Sequence, residues 1–182
     1  LLRALDALAR QRLVHRDVTP RNVILERARV DLPVLIDFGL AKRAHDQALT
    51  AADVILGTPG FIAPEVVLGA EADPRSDLFA AGVLTLQALA GRHPFAGGRG
   101  MALLHLLAET EVPVPDTLSD DARALLARLT ALDPAARPAS PADALADLEA
   151  VDLRPARTPA ARVEARPPAS EDDPTRRYRL MA

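Results

Sequence analysis

The sequence predicts a mainly α-helical domain that carries one small β-hairpin. Three observations predict it. The chain is 49% hydrophobic but only 3% aromatic, with Ala and Leu dominant, a composition that suits helices packed through aliphatic side chains. From residue 63 onward the apolar residues fall in segments of helical length and spacing. Upstream, Val23–Leu25 and Val34–Ile36 are short β-branched runs separated by polar residues and Pro33, which reads as a hairpin.

The elements follow in order. Residues 1–12 place Leu1, Leu5 and Leu8 on one helical face, with Leu2 beside them. Residues 13–22 are short and polar with a proline, and the hairpin comes next. Residues 37–62 contain glycines, Thr and Pro with weak periodicity; a loop of that length in a compact domain is usually functional or disordered. Residues 63–69 predict a short helical turn. Residues 75–90 are apolar nearly all round and stop at Gly91, as expected of a central buried helix. Amphipathic helices are predicted over 99–109 and 119–131. A last helix spans 139–150, with Ser140 as its N-cap, Pro141 at its first position and Asp143 in its first turn. From residue 153 the chain is rich in Pro, Arg and acidic residues without an apolar period, so a disordered tail or linker is expected. There are no internal repeats.

Composition excludes several classes. The 182 residues suffice for one ordinary domain. A net charge of −3 argues against a nucleic-acid-backbone binder. Without cysteine there are no disulfides and no thiolate zinc site. No stretch approaches the roughly 20 apolar residues that span a bilayer, and no signal peptide is apparent, so a cytoplasmic setting is expected. The chain starts at Leu1, without Met and already inside an amphipathic segment, which leads to the expectation of a fragment.

The chemistry concentrates in three stretches. His15-Arg16-Asp17-Val18-Thr19-Pro20-Arg21-Asn22 opens the series, Asp37-Phe38-Gly39 follows the hairpin, and Gly57-Thr58-Pro59-Gly60-Phe61-Ile62-Ala63-Pro64-Glu65 closes it. Singly, each has an ordinary structural explanation. A buried Asp near an Arg is commonly an ion pair, an Asp-Phe-Gly tripeptide arises by chance, and Asn22 suits a turn. In this order and spacing they resemble the HRDxxxxN, DFG and APE motifs of the protein kinase superfamily. The resemblance runs from Leu1 to about Val151 and is nearest to eukaryotic-like, bacterial-type serine/threonine kinases. Ser76-Asp77 with Gly82, Gly91-Arg92-His93-Pro94-Phe95 and Asp133-Pro134-Ala135-Ala136-Arg137-Pro138 continue it.

This resemblance implies a protein-kinase-like C-terminal lobe over residues 1–152, mainly α, with the small β-hairpin bearing the catalytic and metal-binding loops. It implies transfer of the ATP γ-phosphate to Ser or Thr of protein substrates, with ATP and Mg²⁺ as cofactors and a kinase dimer among the partners. Phosphoryl transfer needs a positioned hydroxyl and metal ions on the phosphates. Asp17 would accept the hydroxyl proton, and Asn22 and Asp37 would hold the metal through hard oxygen ligands. Thr19 stands where serine/threonine kinases usually carry a Lys on the γ-phosphate, offering a hydroxyl donor but no charge. Arg16 marks kinases whose activation loop, here 37–65, is ordered by phosphorylation; Thr50 is the nominated phosphosite. Four residues are expected in structural support. Thr58 would bond Asp17, Asp77 would tie down the catalytic-loop backbone, and Arg137 would pair with Glu65. His15 would hold the backbone at the DFG motif. Pro20 and the Gly57–Phe61 run favour Ser/Thr over Tyr specificity. Phe61 and Phe79 replace the commoner Tyr and Trp in packing roles.

Neither a Gly-rich phosphate loop nor its partner strand Lys occurs in the chain. Lys42, the sole lysine, follows the DFG motif. Gly97-Gly98-Arg99-Gly100 lacks the phosphate-loop spacing and reads as a turn. The isolated 182 residues are therefore expected to be inactive, with apolar surface exposed on the hairpin. A truncated or pseudokinase lobe acting as an interaction module is the alternative. His45, His93 and His105 lack metal-ligand spacing and read as surface or packing residues.

Overall fold

A computed structural model describes residues 1–25, 33–37, 42–43, 58–95, 97–98 and 100–151, with Lys42 and Arg43 described by backbone alone. Thr50, Phe38-Gly39, Gly57, His45 and the segment from 153 lie outside the described residues.

The architecture is mainly helical. Helix α1 spans Leu2–Arg10, α2 Pro64–Val67, α3 Pro74–Ala90, α4 Gly100–Glu109, α5 Asp120–Leu129 and α6 Pro141–Ala150. Strand β1 is Leu13–Val14, β2 Val23–Leu25, β3 Pro33–Leu35 and β4 Lys42–Arg43.

Helix α3 is the hub, packing against α1, α5, α6 and β1. Its residues from Ser76 to Val83 are all buried, as is Leu86, whereas Leu89 in the last turn is exposed. Burial thus follows the first two-thirds of the helix, not its whole length. Asp73 caps the start: its carboxylate accepts from the Arg75 and Ser76 N–H groups, and the Ser76 hydroxyl accepts from the Asp73 N–H. That reciprocal box satisfies donors the first turn cannot use internally. Gly91 ends the helix at φ 68°, a left-handed conformation that costs glycine least.

The remaining boundaries sit close to expectation. Ser140 caps α6 by accepting the Asp143 N–H at 3.1 Å, with Pro141 at the first position. Ser119 caps α5 through the Ala122 N–H. The predicted hairpin forms as β2 and β3 in antiparallel register, Val23 opposite Leu35, Ile24 opposite Val34 and Leu25 opposite Pro33. The second strand begins one residue earlier than the apolar run suggested, because Pro33 lies at its first position, where no ladder N–H is needed. Ile36 still donates its N–H to the Asn22 carbonyl at 2.8 Å, closing the base of the hairpin.

One ladder was not foreseen: β1 pairs antiparallel with β4, Leu13 opposite Arg43 and Val14 opposite Lys42. Two-residue strands carry no readable period, and β4 falls in the segment expected to be loop. On the hairpin, Ile24, Leu25 and Val34 are 46%, 44% and 42% exposed, the apolar surface anticipated there. No helix among the described residues is long and apolar enough to cross a membrane.

Candidate active site

Residues 15–22 connect β1 to the hairpin and are anchored from below by α3. Asp77, in the first turn of α3, is buried and points its carboxylate at the loop backbone. It accepts the His15 N–H at 2.7 Å and the Arg16 N–H at 2.9 Å. Burial pushes the Asp77 carboxyl up to about 6; the hydrogen bonds from the His15 and Arg16 backbone offset this only in part. The anchoring has a conformational purpose. Arg16 has φ 70° and Asp37 φ 62°, left-handed values that a side chain with a Cβ adopts only when its surroundings enforce them.

His15 is fully buried and makes a second tie. The Asp17 N–H donates to its Nδ1 at 3.3 Å, so Nε2 carries the proton and donates to the Ile36 carbonyl at 3.2 Å. The bond lands on the residue just before Asp37, which fixes the end of the hairpin to the start of the loop.

Three donors converge on the Asp17 carboxylate. The Asn22 side-chain N–H reaches Oδ2 at 2.7 Å and also the Asp17 carbonyl at 2.8 Å. Thr58 donates to Oδ1 twice, from its backbone N–H at 3.1 Å and its hydroxyl at 3.0 Å. Asn22, whose amide nitrogen faces Asp17, turns its amide oxygen to the other side, at the start of β2. Asp37 is exposed just beyond β3. Asn22 and Asp37 therefore flank the paired base of the hairpin.

Thr19 is fully buried, and its hydroxyl has no hydrogen-bond partner among the described residues. Arg16 is half-buried, and its Nε has no hydrogen-bond partner among the described residues.

Beneath the site, Arg137 and Glu65 form the anticipated ion pair, with Nη1 to Oε1 at 2.8 Å and Nη2 to Oε2 at 2.7 Å. The Ser76 hydroxyl donates to the same carboxylate at 2.7 Å. Burial alone would raise the Glu65 carboxyl, but the Arg137 and Ser76 hydrogen bonds outweigh it and hold the group below its ordinary range. The Arg137 guanidinium also lies 5.0 Å from the centre of the Phe79 ring.

The sequence matches the protein kinase domain family over residues 1–147. The chain belongs to the protein kinase family. It is similar to the serine/threonine-protein kinase PknL of Mycobacterium tuberculosis, 38% identical over 156 residues, covering 83% of this chain and 38% of that protein. Similar too are PkaA of Streptomyces coelicolor, 34% identical with 74% and 26% covered, and PknA of Mycobacterium tuberculosis, 35% identical with 86% and 37% covered. The kinase segment thus spans less than two-fifths of the length of each of these relatives.

His93 of this kinase segment packs against Phe61 and Phe95, as a packing residue does, and in addition bonds the backbone of Gly60. Its partner is a carbonyl, which every residue has, so residue identity held no signal.

Proposed function

We propose that this chain supplies the half of a serine/threonine protein kinase that activates the substrate hydroxyl and holds the metal. The observation that carries the proposal is the convergence of Asn22 and Thr58 on the Asp17 carboxylate, on a loop tied to α3 by Asp77. A carboxylate held by such donors is preorganised, because it loses little freedom when substrate arrives. In this reading, the oxygen of a substrate Ser or Thr attacks the γ-phosphorus of ATP. The bond to the β–γ bridging oxygen breaks, ADP leaves, and Asp17 accepts the hydroxyl proton.

Asn22 and Asp37 would hold Mg²⁺, which when bound neutralises charge on the phosphates. The donor set fits: an amide oxygen oriented by its own N–H bonds, and an exposed carboxylate, both hard ligands. Among the described residues no three His, Cys, Asp or Glu side chains form a cage. Mg²⁺ suits such a site, since it takes one or two protein ligands and completes its shell with phosphate and water. The half-buried Arg16, whose Nε has no partner among the described residues, supports the proposal that a phosphate on Thr50 orders the activation loop. The intact set of Asp17, Asn22 and Thr58 favours this reading over a non-catalytic interaction module.

The test uses the full-length protein that carries this chain, with ATP, Mg²⁺ and a protein acceptor. Asp17→Asn should lower phosphotransfer at least about a hundredfold while the fold is retained by circular dichroism. The isolated 182 residues should show almost none. Equal transfer by wild type and Asp17→Asn would sink the reading. Mass spectrometry of the same active preparation reads Thr50: a consistently unmodified Thr50 removes the regulatory part.

A further inference from the structure

The His15 arrangement occurs a second time. His93, between α3 and α4, receives the Phe95 N–H on Nδ1 at 3.2 Å. A backbone N–H only donates, so Nδ1 is the acceptor and Nε2 carries the proton. Nε2 then donates to the Gly60 carbonyl at 2.9 Å. The ring is seated edge-on to Phe61, centroids 5.4 Å apart, and lies 6.3 Å from Phe95. Gly60 has φ 108°, and a Cβ on it would stand 3.0 Å from Nε2. The contact therefore needs glycine both for its conformation and for its closeness.

The two histidines fix two backbone segments close in sequence to site residues. His15 fixes the backbone beside Asp37. His93 fixes Gly60, two residues beyond the Thr58 that bonds Asp17. Residues 60–64 are buried, so they transmit a displacement at Gly60 instead of absorbing it. An acceptor hydroxyl must come within hydrogen-bond reach of Asp17. An extended peptide advances about 3.3 Å per residue, so a neighbour of that hydroxyl comes within reach of Thr58 and of the exposed Pro59 beside it.

We infer that His93 is a positioning residue for the protein substrate, its ring holding the Gly60 carbonyl and through it the accessible Thr58–Pro59 edge against which the acceptor peptide lies. The inference rests on the proposed kinase activity and adds a residue that touches neither ATP nor the metal ligands. Its effect falls on peptide binding and leaves nucleotide binding alone.

Two variants in the full-length protein test it. His93→Phe keeps an aromatic ring beside Phe61 and Phe95 but removes the donor. His93→Gln restores an N–H near the position of Nε2. With His93→Phe the KM for the acceptor peptide should rise about three- to tenfold, the worth of one hydrogen bond, with the KM for ATP within about twofold. His93→Gln should recover most of the loss. Hydrogen exchange at the amides of residues 60–62 should speed up in His93→Phe and return in His93→Gln. An unchanged peptide KM in His93→Phe, an equal rise in both KM values, or no recovery in His93→Gln overturns the inference while the kinase reading stands. A wild-type protein with no phosphotransfer overturns the kinase reading, and this inference with it.

Discussion

Arg137 places all five of its N–H groups. Beyond the two bonds to Glu65, its Nε reaches the Ala131 carbonyl at 2.8 Å, Nη1 the Arg75 carbonyl at 3.0 Å and Nη2 the Leu132 carbonyl at 3.3 Å. Its side chain is 0% exposed and that of Glu65 14%, so this is not a screened surface pair. Lysine would keep the charge but offers three donors on a point charge and no fork. Arg137→Lys should cost about 2–4 kcal/mol, measured by denaturant unfolding, because backbone carbonyls lose partners along with half of the carboxylate. The pairing with Glu65 was legible in the sequence through motif resemblance. The three carbonyl contacts were not, since any residue supplies a carbonyl, and the stacking on Phe79 needs the fold to bring positions 79 and 137 together. Thr19 shows what residue identity leaves open: its burial could not be read from the sequence.

Among the elements, α3 was the most legible, because apolar residues on every side predict burial without knowledge of the partners. What the pattern hid was how closely those partners approach. A Cβ on Gly82 would lie 2.6 Å from Thr130 Cγ2 and 3.1 Å from Leu129 Cβ, so glycine sets the spacing between α3 and the end of α5. Alanine would gain up to about 1 kcal/mol of helix propensity. It would also force apart two packed helices, at about 1–3 kcal/mol. We expect Gly82→Ala to be destabilising by thermal unfolding, and Thr130→Ser in the same chain to recover part of the loss. Serine removes the offending methyl yet keeps the hydroxyl that bonds the Leu126 carbonyl at 2.8 Å. No recovery would mean that Leu129 alone sets the spacing. The two-residue strands β1 and β4 lie at the other extreme: they are too short for any period and form only because the chain around them is already placed.

At the scale of the whole molecule, Asp77 and Glu65 make stability and site geometry respond differently to acid. Asp77 has its folded value raised from 3.8 to about 6. Between those values the folded state binds the extra proton, so its contribution to stability increases as pH falls from about 6 towards 3.8. Glu65 has its folded value lowered from 4.5. Its contribution is complete above that pH and is lost as pH falls through the depressed folded value. Acidification from pH 6 to about 4.5 should therefore leave the Asp77 contribution rising and the Glu65 contribution intact, with loss beginning only below. Unfolding free energy measured against pH should show this slope in wild type and lack it in Asp77→Asn, whatever the offset between the two curves; parallel curves would refute it. The same proton weakens the site. A protonated Asp77 turns one of its two acceptor oxygens into a hydroxyl, while the His15 and Arg16 N–H groups both still need an acceptor. The left-handed Arg16 is then held less firmly, and Asp17 beside it with it. Phosphotransfer by the full-length protein should fall as pH drops through about 6, in a range where thermal stability does not fall, and that divergence separates loosening of the loop from unfolding of the domain.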